Sequence, residues 1–170
     1  AIGSSTLLVN STGRYNVAIG SSVLAANTTA EGNIAIGLQA MQVTTTGGYN
    51  IALGSNALNN NLTGTYNVAI GGNALQRNTT AANNVAIGSN AMQFALNTST
   101  ANLAIGVEAM RYVTSSNNAA IGYQAMYRTS AATQYTVAIG YQALFGNTLL
   151  GNAGQFNNAI GYQALYSAKN

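Results

Sequence analysis

The residue types that ordinarily carry catalysis are nearly missing from this chain. Two carboxylates, Glu31 and Glu108, stand beside five cations, Arg14, Arg77, Arg111, Arg128 and Lys169, and there is no His, Asp or Cys. A Ser or Thr nucleophile needs a base within hydrogen-bond reach, and a single Lys near the C-terminus is a poor supply. Paired-carboxylate hydrolysis needs two acids facing one bond, yet Glu31 and Glu108 lie 77 residues apart. Hard cations ask for several oxygen ligands, usually carboxylates, and no phosphate-cradling glycine loop occurs. The expectation is therefore no catalytic residue, no cofactor, no metal and no enzyme.

Composition narrows the field further. The 170 residues are 48% apolar but only 4% charged, against roughly 25% in ordinary soluble domains. The net charge of +3 is spread over five cations scattered along the sequence, too thin for phosphate neutralisation, so no nucleic-acid partner is expected. No apolar run approaches the roughly 20 residues of a membrane-spanning helix, so no membrane insertion by this segment is expected either. The absence of Cys leaves no disulfide framework. The chain opens at Ala1-Ile2-Gly3, in the middle of a repeated motif, and is expected to be a fragment of a longer protein.

That motif organises the whole chain, residues 1–170, as one array. "YNVAIGSSVL" from Tyr15 returns as "YNVAIGGNAL" from Tyr66, and the glycine of "AIG" recurs at Gly3, Gly20, Gly37, Gly54, Gly71, Gly88, Gly106, Gly122, Gly140 and Gly161. The first five intervals are 17 residues, and the next four are 18, 16, 18 and 21. Counting from each glycine, position −2 is always Ala, −1 is Ile or Leu, and +4 is always Leu or Met. Position −4 is Asn in eight of nine copies, with Thr136 the exception, and −3 is aliphatic apart from Ala119 and Asn158. In the second copy these structural positions are Asn16, Val17, Ala18, Ile19, Gly20 and Leu24.

The alternation in Asn-Val-Ala-Ile is a strand signature, while Asn, Thr and Gly between the copies suit turns. The expected fold is all-β: a parallel β-solenoid of about ten 17-residue coils, each with a strand "NVAIG", a kink at Gly, a second short strand around "NALQ" and a return loop. Val and Ile are expected inside the coil. The Ala column is then left on the opposite face, as an apolar stripe admitting close packing of identical chains side by side. A wider single-chain solenoid burying both stripes is the alternative. The glycine column admits a positive φ or a close backbone approach, of which the first is preferred. The Asn column reads as a ladder between coils or as a turn residue.

"NVAIGSNAL", "NIAIGLQAM" and "NNAIGYQAL" resemble the head repeats of YadA-like trimeric autotransporter adhesins. They are still more similar to the "AIGYQAL" arrays of phage tail fibres that carry a C-terminal endosialidase-type chaperone. The resemblance spans Ala1 to about Ser167 and implies a left-handed β-roll assembled as a homotrimer. The period of 17 exceeds the 14 to 15 usual in adhesin heads, so loop geometry does not carry over, and no catalytic residues come with it.

The expected function is a stalk or head segment of an extracellular trimeric fibre, on a virion tail or bacterial surface, supporting attachment. A self-assembling filament without receptor binding is the alternative, and an ice-binding solenoid a remote one, since Thr28-Thr29, Thr44-Thr45-Thr46 and Thr79-Thr80 read as drifting in register. A receptor or glycan contact is expected where the repeat breaks, at Phe145, Asn147, Thr148, Leu149, Leu150, Asn152, Gln155 and Phe156. The tyrosines at fixed slots (Tyr15, Tyr49, Tyr66, Tyr135; Tyr123, Tyr141, Tyr162) read as packing between coils, or as a stacking surface for sugars. Asn10, Asn27, Asn61 and Asn78 each begin an Asn-x-Ser/Thr sequon.

Overall fold

The computed structural model describes residues 1–128, 133–146 and 156–166. Nine three-residue strands stack in sequence order into one parallel sheet. They are Val17–Ile19 (β1), Ile34–Ile36 (β2), Ile51–Leu53 (β3), Val68–Ile70 (β4), Val85–Ile87 (β5), Leu103–Ile105 (β6), Ala119–Ile121 (β7), Val137–Ile139 (β8) and Asn158–Ile160 (β9). No helix occurs among the described residues. The register pairs each repeat with itself, Ala18 with Ala35, Ala35 with Ala52 and so on to Ala159. The fold is thus a β-solenoid, and its sheet extends about 38 Å at a strand spacing of about 4.8 Å. The first repeat contributes one parallel bridge, from Ile2 to Ile19.

Two expectations fail here. Val and Ile do not fill the coil: every strand buries its central Ala and turns its flanking aliphatics outward, with Ala35 at 0% exposure, Val17 at 45% and Ile36 at 38%. Parity explains the choice. Residues −4 and −2 share a face, and the buried Asn of that face must reach the interior turn of its coil. The interior is also narrow, and a column of Ala leaves room for the Leu or Met at +4, which is buried throughout the middle of the rod.

Nor is "NALQ" a strand. The residues at +2 and +4 are left-handed in every repeat, as in Asn56 (φ 56°) and Leu58 (φ 48°), and the chain turns twice in four residues. This lets the adjacent residues Ala57 and Leu58 both point inward, which a flat strand forbids. The backbone still bonds in both directions, Asn56 N–H to the Leu38 carbonyl (2.9 Å) and Leu58 N–H to the Ala74 carbonyl (2.9 Å). The repeat glycine needs both of its suggested causes. Gly54 has φ +138°, and a Cβ there would lie 2.7 Å from the Gly71 carbonyl oxygen.

Two rows of asparagine run through the interior. In the first, Asn50 accepts the backbone N–H and the side-chain amide of Asn67 on one oxygen (2.9 and 3.1 Å). Asn67 repeats this for Asn84, and Asn84 for Asn102. Each amide also donates to the carbonyl of its own return turn, Asn67 to Ala81 at 2.9 Å. The second row consists of sequon residues. Asn78 donates to Asn61 (3.0 Å) and to that same Ala81 carbonyl (3.1 Å), while Asn27 donates to Asn10 and to the Ala30 carbonyl. Asn27, Asn61 and Asn78 are fully buried, so none of them presents its amide to a glycosylating enzyme.

The second row is broken where Thr44 takes the asparagine slot and stops after Asn78, where Ala95 and then Val113 take it. The atoms left without a partner are those facing the gaps, Asn27 Oδ1, Thr44 Oγ1 and Asn78 Oδ1. Thr44→Asn should join Asn27 to Asn61 and raise stability by about 1 kcal/mol. Thr44→Val removes only the orphan hydroxyl and should gain less; equal melting temperatures for the two variants would show that the row does not matter. The isomeric change Leu58→Ile puts a β-branched residue at a left-handed position and should cost about 2 kcal/mol or more. Leu53→Ile, on the outer face where other repeats already carry Ile, should be near neutral by denaturant titration.

Candidate functional site

The solvent side of the coil carries whatever this chain offers to a partner, and its columns are regular. Except for Tyr15, which is 83% exposed with Gly32 in the next coil's slot, the tyrosines at the fixed slots form stacks along the axis. Tyr123, Tyr141 and Tyr162, each following a repeat glycine, stack at 5.2 and 5.3 Å between ring centres. At −5, Tyr49 stacks on Tyr66 (5.4 Å) and Tyr135 on Phe156 (5.2 Å). A third row, Tyr127, Phe145 and Tyr166, stacks at 5.0 and 5.1 Å. Sugar recognition by aromatics uses ring faces, and here the internal faces lie against the ring of the next coil, leaving edges outward. These rows are packing between coils.

Of the residues expected at a receptor-contact loop, the structure places two. Phe145 sits between Tyr127 and Tyr166, and Phe156 is exposed, left-handed (φ 63°) and stacked on Tyr135. Both ends of the long interval are therefore members of aromatic rows. Asn147, Thr148, Leu149, Leu150, Asn152 and Gln155 lie outside the described residues. Of the structural positions named in the second repeat, Ala18 and Leu24 are buried, Val17 and Ile19 exposed, and Gly20 has φ +134°. Asn16 donates to the Ala30 carbonyl and accepts from the Asn33 N–H.

The threonines do not drift. Thr28 N–H bonds the Thr45 carbonyl and Thr45 N–H the Leu62 carbonyl, and the hydroxyls of Thr28 and Thr45 donate to those same carbonyls. One exposed file remains, Thr12, Thr29, Thr46, Thr63 and Thr80. It is a single line rather than a plane of hydroxyls, because the neighbouring Thr28 and Thr45 hydroxyls already bond to backbone.

The charged residues are less scattered than their sequence positions suggest. At +6, four successive repeats carry Arg77, Phe94, Tyr112 and Arg128. The guanidinium of Arg77 lies 4.6 Å over Phe94, Phe94 stacks on Tyr112 at 4.9 Å, and Arg128 covers Tyr112 at 5.2 Å. Arg111 flanks both rings at 5.5 and 5.6 Å and is ion-paired to Glu108 at 2.5 Å, while its Nε donates to Gln93. Glu108 also accepts from Gln124, the start of a glutamine row through Gln142 to Gln163. Sequence reasoning missed this group because it looked for runs of cations; reading down the +6 column finds it.

Glu31 is engaged elsewhere, accepting the Tyr49 hydroxyl at 3.1 Å. Among the described residues, no group of three or more acidic, His or Cys side chains is placed to hold a metal ion, and no helix is long and apolar enough to cross a membrane. The strands that carry the rows also leave an apolar surface, the outward Val, Ile and Leu of β1 to β8 with Ala119 in β7, two residues wide and without a charge; in β9 Asn158 interrupts it. Compared with family models, curated proteins and solved structures, the chain has no match in any of the three.

The hydrogen bond to Glu31, followed by its negative charge, holds the Tyr49 phenol above its ordinary pKa. Glu31→Gln removes that charge, and the Tyr49 titration should move back down toward 10. Carbon NMR of ring-labelled tyrosine across alkaline pH resolves this; a Tyr49 midpoint unmoved by the substitution would refute the contact.

Proposed function

We propose that this chain is a structural stalk or head segment of an extracellular fibre, of the phage tail-fibre or bacterial surface-adhesin kind, in which three copies pack side by side and hold an attachment tip away from the particle. The observation that carries the reading is the uncovered sheet face. Two columns of aliphatics run through eight of the nine strands, β1 to β8, and contiguous apolar surface of that kind normally marks an interface. The contact that the sequence assigned to Ala is here assigned to Val and Ile. A second copy offers the same columns at the same strand spacing, so side chains mesh in register along the whole rod.

The rest of the chain suits such a role. A parallel stack with a hydrogen-bonded asparagine row along its interior is stiff along its axis, and with five Lys and Arg residues among 170 it offers few sites to trypsin. Attachment would rest on weak contacts multiplied over copies.

Sedimentation equilibrium at micromolar concentration should give a mass of three chains. Ile36→Lys with Ile70→Lys, both on the outer face, should reduce it to one chain without loss of the β-type circular dichroism. A single-chain mass for the unaltered protein would overturn the trimer, and a mass growing without limit with concentration would favour a filament.

A further inference from the structure

We infer that the arginine-capped aromatic row, Arg77, Phe94, Tyr112 and Arg128, is a binding surface for a linear acidic polysaccharide lying along the fibre axis. Three of the five cations of the chain meet here, and only Arg111 is neutralised, by Glu108. Arg77 and Arg128 are exposed, and among the described residues neither guanidinium donates a hydrogen bond to protein. Each is oriented by the ring beneath it, and stacking on a ring face leaves the N–H edge of a guanidinium free. A fork held in this way loses little freedom when it takes a carboxylate.

The spacing selects the partner. Arg77 and Arg128 stand three repeats apart, about 14 Å at the strand spacing, and the ion-paired Arg111 lies between them. Two well-separated cations in line match a polymer whose acid groups are spaced by neutral sugars. Duplex DNA presents a charge about every 1.7 Å and rewards dense cation clusters, and these rings have their faces covered, so they cannot stack on bases. Beside the row, half-buried Gln76 accepts from the buried Gln93 amide at 3.0 Å, and its own NH2 is suited to a sugar hydroxyl.

The proposal rests on the fibre reading for the setting in which such polymers are met, but its test does not involve the oligomer mass. Hyaluronan, which carries a carboxylate on alternate sugars, is the probe, with its methyl ester as the neutral control and a duplex DNA as competitor. Biolayer interferometry at low salt should show binding to hyaluronan and not to the ester, weakening as salt screens the charges. Arg77→Gln with Arg128→Gln should lower the affinity at least about tenfold. Arg14→Gln, outside the row, should change it less than about twofold, with melting curves of all variants unchanged. The proposal is overturned by absence of binding, equal binding of the ester, equal loss in Arg14→Gln, or displacement of hyaluronan by DNA. A mass of three chains alongside any of these would leave the fibre reading standing; a single-chain mass with selective hyaluronan binding would do the reverse.

Discussion

One carbonyl per coil, held by the asparagine of the strand entrance and in three coils by a second asparagine from the return turn, is the interaction on which the rest depends. Asn67 and Asn78 both donate to the Ala81 carbonyl, and Asn50 and Asn61 do the same for Gly64. One asparagine comes from the strand entrance and the other from the return turn, so the pair ties a coil shut across its own interior. The oxygens of the same amides accept from the next coil, Asn50 Oδ1 from Asn67 and Asn61 Oδ1 from Asn78. A buried amide with only one side satisfied would cost more than it returns. Stacking satisfies both sides, so closing a coil and adding the next are one event.

The clamp dictates which way every other side chain faces. With Asn inward, the Ala two residues on must be inward and the intervening Val or Ile outward. With Ala forming one inner wall, the opposite wall can hold a Leu or Met, and the left-handed residues at +2 and +4 deliver it together with a second Ala. The coil is then too slender to hide the Val and Ile columns. The apolar outer sheet is a consequence of the narrow, polar-clamped core, and the proposed interface between copies would cover it.

The array, the strand "NVAIG" and the parallel stacking were legible because period and alternation are written directly in the residues. The inside-out assignment was not, because Val and Ile look like core by hydrophobicity alone. The signal against it was present: position −3 admits Asn158 and Ala119, which a packed interior would refuse, while −2 admits nothing but Ala. The left-handed positions had a signal as well. Columns +2, +4 and −5 never hold Val, Ile or Thr in a chain otherwise rich in them, which is what a positive φ imposes. The arginine row escaped because cations 34 and 17 residues apart, at 77, 111 and 128, look unrelated until the period is folded out. The tyrosine slots at −5 and +1 were legible by the same procedure, the +5 row of Tyr127, Phe145 and Tyr166 was not read, and the stretch at 147–155 lies outside the described residues.

Folding and surface character are thereby assigned to different columns. The interior is almost invariant along the rod, since a change at Asn, Ala, Gly or Leu/Met breaks contacts with two coils at once. The exterior columns are free of that constraint, and they do change with height. Position +1 runs through Ser, Leu, Gly and Val before becoming Tyr from Tyr123 onward. Position +6 passes from aliphatic and amide residues to the Arg77, Phe94, Tyr112, Arg128 series. A rod of constant core thus carries a graded surface, and a ligand that reads one height of it, as a carboxylated polymer would read Arg77 to Arg128, needs no departure from the repeat. Specificity on such a scaffold resides in the sequence of outward residues down a column rather than in a pocket, so a binding face can be replaced without refolding the protein beneath it.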